Sequence, residues 1–192
     1  MLCTYLNLNP NIAKKLAGVI YSAPFFGIPD FVEMTWAKKQ VLFFLAEHLK
    51  EFAVTSGMPM QCITRNKTYL REIIHGTKAI GLASLGLHAS FARSIDSLQA
   101  KAREVTYPYF LFLGDKDTIV NNRMTMVWHG KTQSKIKGIR RLPGAFHELS
   151  KEPNNDKLFE SSLKFMGERL IGKAPGAKAT PFGTFAHGLV KY

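Results

Sequence analysis

Apolar positions in this chain fall into two patterns, and each pattern predicts an element. The first is the short unbroken run. Residues 17–25 read AGVIYSAPF, a β-rich run closed by a proline, as expected of a strand buried on both faces of a parallel sheet. Residues 107–113, YPYFLFL, repeat the pattern and lead straight into Gly114-Asp115-Lys116-Asp117. Residues 138–142, GIRRL, are compatible with a third short strand, which enters Pro143-Gly144-Ala145-Phe146-His147. The second pattern is helical spacing. It is clearest over residues 34–54, where Val41, Leu45, His48, Leu49 and Phe52 recur on one side, widened by Phe43 and Phe44. Lys38, Lys39, Glu47, Lys50 and Glu51 take the other side. Residues 67–75 and 78–100 also read as helices, the latter with Leu82, Leu85, Phe91, Ile95 and Leu98 as candidate core, against the helix-weakening Gly81 and Gly86. Helices over 123–134 and 156–171 complete the set, the last with Leu158, Phe159, Leu163, Phe165, Met166 and Leu170 inward. Residues 2–8 read as the end of a helix broken at Asn9-Pro10-Asn11.

Strand, helical insert, strand, helix, strand, helix is an α/β arrangement with a parallel sheet. In such folds functional groups sit on the loops that leave the C-terminal ends of the strands. Here two of those ends carry residues of catalytic type: Asp115 and Asp117 after the second strand, and His147 after the third. An Asp followed by a His in this order is two thirds of a Ser–Asp–His triad. The chemistry needs both types. A neutral imidazole takes the serine proton and returns it to the leaving group, while the carboxylate fixes the imidazole tautomer and stabilises the imidazolium.

Composition narrows the class. With 192 residues, 46% hydrophobic and 21% charged, the chain can bury the core of one globular domain. The longest purely apolar run, residues 41–46, is far short of the roughly 20 residues of a bilayer span. The N-terminus has no basic segment ahead of its apolar residues and does not read as a secretory signal, so the expected location is cytoplasmic or peripheral to a membrane. The net charge of +12 is dispersed along the chain. It fits a solvated surface with a flexible basic tail over 172–192, or a face attracted to anionic lipid. Nucleic acid is not expected as a partner, because no compact basic run is interleaved with aromatic residues. Cys3 and Cys62 read as reduced thiols. No CxxC, HExxH or similar cluster is present, and His48, His75, His88, His129 and His187 form no ligand pattern, so neither metal nor cofactor is expected.

Several of these segments resemble one family. PYFLFLGDKDTIV (residues 108–120) is similar to the strand and acid loop of monoacylglycerol lipases and related lysophospholipases, α/β-hydrolases of the serine aminopeptidase S33 type. LPGAFHELSKEP (142–153), with Glu152 soon after the histidine, resembles their histidine loop, and LFESSLKFMGERL (158–170) the helix that follows. AGVIYSAPFFG (17–27) resembles the strand after the nucleophile elbow, and ITRNKTY (63–69) a piece of their cap. The resemblance implies a partial α/β-hydrolase fold: residues 1–171 as its C-terminal part, with parallel strands, helices and a helical cap insertion at about 28–104. It places the family's acid on Asp117 and its base on His147, with Asp115 a solvated turn residue. It also meets departures. HGTKAIGL at 75–82 replaces a common Asp-Pro-Leu segment, and Asn121 stands where an acidic residue is common.

The family's nucleophile sits in a G-x-S-x-G elbow, and no such pentapeptide occurs in the chain. Matching MLCTYLNLNP to the helix after the elbow puts the expected serine about five residues before Met1. Ser22 falls on a strand where the family's residue is structural. Ser84, Ser90, Ser94 and Ser97 fall in the cap-like region, and Cys3 falls on a helix body. The resemblance therefore implies hydrolysis of a carboxylic ester, a monoacylglycerol or lysophospholipid, by a whole protein of which this chain is a piece inactive alone. It also implies that the first strand is left with an open edge. Trp36, Phe43 and Phe44 in the cap would suit an acyl chain or a lipid surface as well as ordinary packing. The alternative is a non-catalytic lipid- or protein-binding remnant of the same fold.

Overall fold

The computed structural model describes residues 2–32, 34–55, 57–76, 81–153 and 155–171. Helices α1 (Leu2–Leu8) and α2 (Pro10–Ala13) open the chain, α2 with its proline at the first helical positions, where a missing N–H costs nothing. Strand β1 (Val19–Ser22) follows. Next come α3 (Trp36–His48), β2 (Ala53–Thr55), α4 (Lys67–Gly76), β3 (Leu82–Ser84) and α5 (Leu85–Ala100), all lying between β1 and β4 (Tyr109–Gly114). Helix α6 (Asn122–Lys131), β5 (Lys137–Leu142) and α7 (Asp156–Ile171) complete the order. The expected flexible tail at 172–192 lies outside the described residues.

The main sheet has the order β1-β4-β5, with both pairings parallel. Central β4 explains its own sequence. Tyr109 to Leu113 are each no more than 1% exposed, and successive side chains enter opposite cores. Tyr109 and Leu111 pack with Tyr21, Trp128, Leu98 and Leu6. Phe110 and Phe112 pack with Leu142, Leu149, Leu158 and Phe165 of the other layer. Helices cover both faces, which is why an alternating pattern would fail here and a continuous apolar run succeeds.

The three predicted parallel strands are all present, each within a residue or two of its expected bounds or shorter. The region between β1 and β4, called the cap below, departs from expectation. The helix predicted over 34–54 ends at His48, and Ala53–Thr55 instead pairs antiparallel with Leu82–Ser84. Val54 and Thr55 are β-branched and favour the extended state, and pairing satisfies backbone groups that a frayed helix end would leave open. The helix predicted over 78–100 starts only at Leu85, where the Ser84 hydroxyl accepts from the Leu87 N–H at 3.2 Å; residues 78–80 lie outside the described residues. The apolar stripe assigned to α3 also shifts. Ala46, Leu42, Phe43 and Leu45 meet Leu85 and Ala89, while Val41, Leu49 and Phe52 of the expected stripe are exposed. In α7, Leu158 and Phe165 face the sheet as expected. Phe159, Leu163, Met166 and Leu170 do not, because one side of a helix resting on three strands cannot reach all six residues.

Among the described residues the outer edge of β1 is unpaired. No helix among them is long and apolar enough to cross a membrane.

Candidate active site on the loops after the second and third parallel strands

Because β4 and β5 are parallel and in register, the loops that leave them emerge at the same end of the sheet. The first loop turns tightly, with the Asp117 N–H on the Gly114 carbonyl at 3.3 Å. That turn buries the Asp117 side chain completely. Its Oδ1 accepts the N–H groups of Ile119 at 2.8 Å and Val120 at 3.2 Å, and its Oδ2 lies 2.9 Å from Nδ1 of His147. A carboxylate only accepts, so Nδ1 carries the proton between them, and in the neutral ring the lone pair lies on Nε2. The His147 ring is 29% exposed, so it is held from behind and open in front. Among the described residues no hydroxyl is bonded to that ring.

The two loops are laced to each other by backbone. Asp115 N–H donates to the Leu142 carbonyl at 3.3 Å and Lys116 N–H to the Ala145 carbonyl at 3.0 Å. Asp115, expected as a solvated turn residue, is exposed, but it also takes the Gly144 N–H on Oδ1 at 2.5 Å. Gly114 permits this closeness. A Cβ there would sit 2.2 Å from the Phe146 carbonyl oxygen and 2.5 Å from that of Ala145. Gly144 has φ +69°, the left-handed conformation that a side chain resists.

Asn121 uses both ends of its amide. Its Oδ1 caps α6 through the Met124 N–H at 2.9 Å, while its Nδ2 donates to the Ile28 carbonyl at 3.2 Å and to Asp30 Oδ1 at 2.8 Å. A carboxylate cannot donate and would repel Asp30.

Glu152 has a larger part than its sequence position suggested. It is 4% exposed and accepts from Thr64 Oγ1 at 2.8 Å, the Arg65 N–H at 2.7 Å and Arg65 Nε at 2.6 Å. Burial alone would raise its carboxyl, but these hydrogen bonds, with a weaker contribution from the Phe146 N–H, hold it below the usual carboxylate range.

A mainly apolar cleft of about 220 Å³ opens at the same end of the sheet, between β1, α1 and α5, lined by Ser22, Phe25, Phe91, Ile95 and Leu98 among others. A larger hollow of about 320 Å³, against Ala17, Gly18, Phe165 and Leu170, lies at the opposite end of β1 and away from the Asp–His pair.

Three other nucleophile candidates, Cys3, Ser84 and Ser90, are committed elsewhere, while Ser22 is exposed at the end of β1. Cys3 is 1% exposed, with Sγ 3.3 Å from the Tyr107 hydroxyl, which in turn meets the Tyr21 hydroxyl at 2.8 Å. Burial pushes the Cys3 thiol and both phenols up, so the thiol stays protonated and unreactive. Ser84 caps α5 and Ser90 donates to the Gly86 carbonyl. His129 meets the Tyr109 hydroxyl at 2.9 Å, His88 the Ser84 carbonyl at 3.0 Å, and His48 meets the Phe44 ring edge-on; His187 lies outside the described residues. No group of three or more His, Cys, Asp or Glu among the described residues could hold a metal ion.

The family model for serine aminopeptidases of the S33 type matches residues 1–154. The chain belongs to the serine aminopeptidase S33 family. Among curated proteins, this S33 member is 23% identical over 154 residues to the phospholipase YtpA of Bacillus subtilis, a match that covers 79% of the chain and 58% of that protein. It shares its α/β-hydrolase fold with the monoacylglycerol lipase of Paleococcus ferrophilus, at a TM-score of 0.78 and 17% identity, covering 88% of this chain and 64% of the lipase. A soluble variant of the Saccharomyces cerevisiae monoglyceride lipase, crystallised with a substrate analogue, gives a TM-score of 0.75 at 16% identity, covering 88% and 61%. The S33 chain thus spans less than two thirds of the length of each of these relatives.

Proposed function

We propose that this chain carries the base and acid of a serine ester hydrolase of the lipase or lysophospholipase type, His147 and Asp117, and that the serine is supplied by a segment outside these 192 residues. The observation that carries the reading is the His147–Asp117 pair: a buried carboxylate with two backbone donors on one oxygen and Nδ1 of a half-open imidazole on the other. With Nδ1 held by Asp117, Nε2 is the ring nitrogen left to act as the base. The sequence holds no G-x-S-x-G elbow, and among the described residues no hydroxyl bonds to the ring, which supports a serine from elsewhere.

In this reading, Nε2 of His147 takes the serine proton as the oxygen attacks the acyl carbon. Nδ1–H stays on Asp117, which stabilises the imidazolium. His147 then gives the proton to the departing alcohol oxygen. Water, deprotonated by the same Nε2, splits the acyl-enzyme to the free acid and restores the serine. The apolar cleft beside β1 suits an acyl chain, and lipolytic relatives support a monoacylglycerol or lysophospholipid as substrate. The exposed Trp36, Val41 and Phe44 of α3, next to Lys38 and Lys39, would suit peripheral contact with a lipid surface.

The test is hydrolysis of monoacylglycerol and lysophospholipid by the protein isolated from its own cells, with and without His147→Ala. Ester cleavage abolished by the substitution is the expected result. Cleavage that survives it would remove His147 from the reaction. Acyl-chain binding with no cleavage in the unsubstituted protein would favour a lipid-binding remnant, a reading the cleft also supports.

A further inference from the structure

The histidine loop is gripped from the cap side as well as from the acid loop. Residues 63–65 lie in the cap sequence between β2 and α4, and they bracket His147 on both sides. On one side the Ile63 carbonyl accepts the N–H of Glu148, the next residue, at 2.8 Å. On the same side, Thr64 and Arg65 hold Glu152 through three short hydrogen bonds. On the other side, the Arg65 guanidinium lies over Gly144, where an added Cβ would come within 3.1 Å of Nη1. Glu152 is almost fully buried, so its charge has exchanged water for these donors alone, and the ion pair with Arg65 is shielded on the carboxylate side.

We propose that Glu152 is a positioning residue for the base: with Thr64 and Arg65 it clamps cap residues 63–65 to the histidine loop and thereby fixes His147 against Asp117. This rests on the reading of His147 as the base. Its consequence is that the cap and the base move as one unit. A displacement of residues 63–65, such as a substrate entering under the cap would cause, is felt at the Nδ1–Asp117 hydrogen bond. Glu152 touches no reacting atom; it acts through the loop backbone.

The test follows the Nδ1 proton of His147 by nuclear magnetic resonance in the full chain with isotope-labelled histidine, measuring its exchange with water. Glu152→Gln and Arg65→Met should each speed that exchange by roughly tenfold, the worth of one charge-assisted hydrogen bond. Arg65→Lys should restore only part of the protection, because lysine has no fork to span Glu152 and the loop. Leu6→Ala, a substitution on α1 in the opposite core layer, should lower the unfolding temperature and leave the exchange unchanged. If Glu152→Gln fails to fold, Arg65→Met gives the same readout from the half-exposed partner. The proposal is overturned if both clamp variants keep the wild-type exchange rate, or if Leu6→Ala speeds exchange by the same factor. Should wild-type His147 show no protected Nδ1 proton at all, the acid–base pair itself is absent. That result removes the reading beneath this inference and is distinct from a pair that is present but insensitive to the clamp.

Discussion

The sheet and the cap spend their apolar residues differently. In β4, five consecutive side chains are sealed on two faces and the loops beyond are tied by backbone hydrogen bonds. In the cap, α3 buries Ala46 and half-buries three neighbours, and it leaves Trp36 at 77%, Phe44 at 61% and Val41 at 57% exposed. The difference teaches where rigidity is needed. The Asp–His pair hangs from the sealed region, whose packing holds two loops within hydrogen-bonding distance. The cap contributes a clamp at residues 63–65 and an apolar surface.

Substitutions can break or sharpen this contrast. The largest effect belongs to the site. Asp117→Asn keeps an acceptor for Ile119 but presents a donor or a weaker acceptor to Nδ1, which inverts the tautomer of His147. Turnover of an ester by the whole protein should fall by about 10⁴-fold, with far less change in KM. Next comes the core: Phe112→Ala should destabilise by about 3–5 kcal/mol in urea unfolding. Gly114→Ala drives a Cβ into two carbonyl oxygens and should destabilise by about 1–3 kcal/mol. The half-buried Gly167 of α7, with open space where a Cβ would sit, should instead gain about 0.5–1 kcal/mol as alanine.

The clamp makes a smaller prediction, with a definite sign. Glu152 has its carboxyl depressed in the folded state below the ordinary 4.5. Its contribution to stability is therefore present above that value and is lost as the pH falls through it toward the folded value. As the pH falls below the ordinary carboxylate value of 4.5, the urea midpoint should fall more steeply in the wild type than in Glu152→Gln. The smallest effect is in the cap, where Trp36→Ser should change stability by no more than about 0.5 kcal/mol. A larger loss would mean that something covers α3.

The same contrast decides what could be read from sequence. Unbroken apolar runs located β1 and β4, because burial on both faces leaves one pattern only; β5, which carries Arg140 and Arg141 and is only partly buried, fitted as a third short strand without such a run. The Asp and His at their ends were legible through topology, since parallel strands deliver successive loops to one end. In the cap the signal failed. Residues 34–54 carry more apolar side chains than the described cap buries, so several stripes fit a helix equally well. A three-residue antiparallel pair such as β2–β3 leaves no periodicity to detect. The α7 stripe failed for the same reason, with Leu163 and Leu170 exposed. Glu152 was visible only as a residue shortly after the histidine. Its partners Thr64 and Arg65 lie more than eighty positions away, and no local pattern links them.

The most direct test of the central claim is covalent labelling of the protein in its own cells with a fluorophosphonate, which modifies activated serines, followed by mapping of the labelled peptide. The account predicts one labelled serine outside residues 1–192, with labelling lost in His147→Ala. A label on Ser22, or on any other serine of this chain, or labelling that persists without His147, would contradict it.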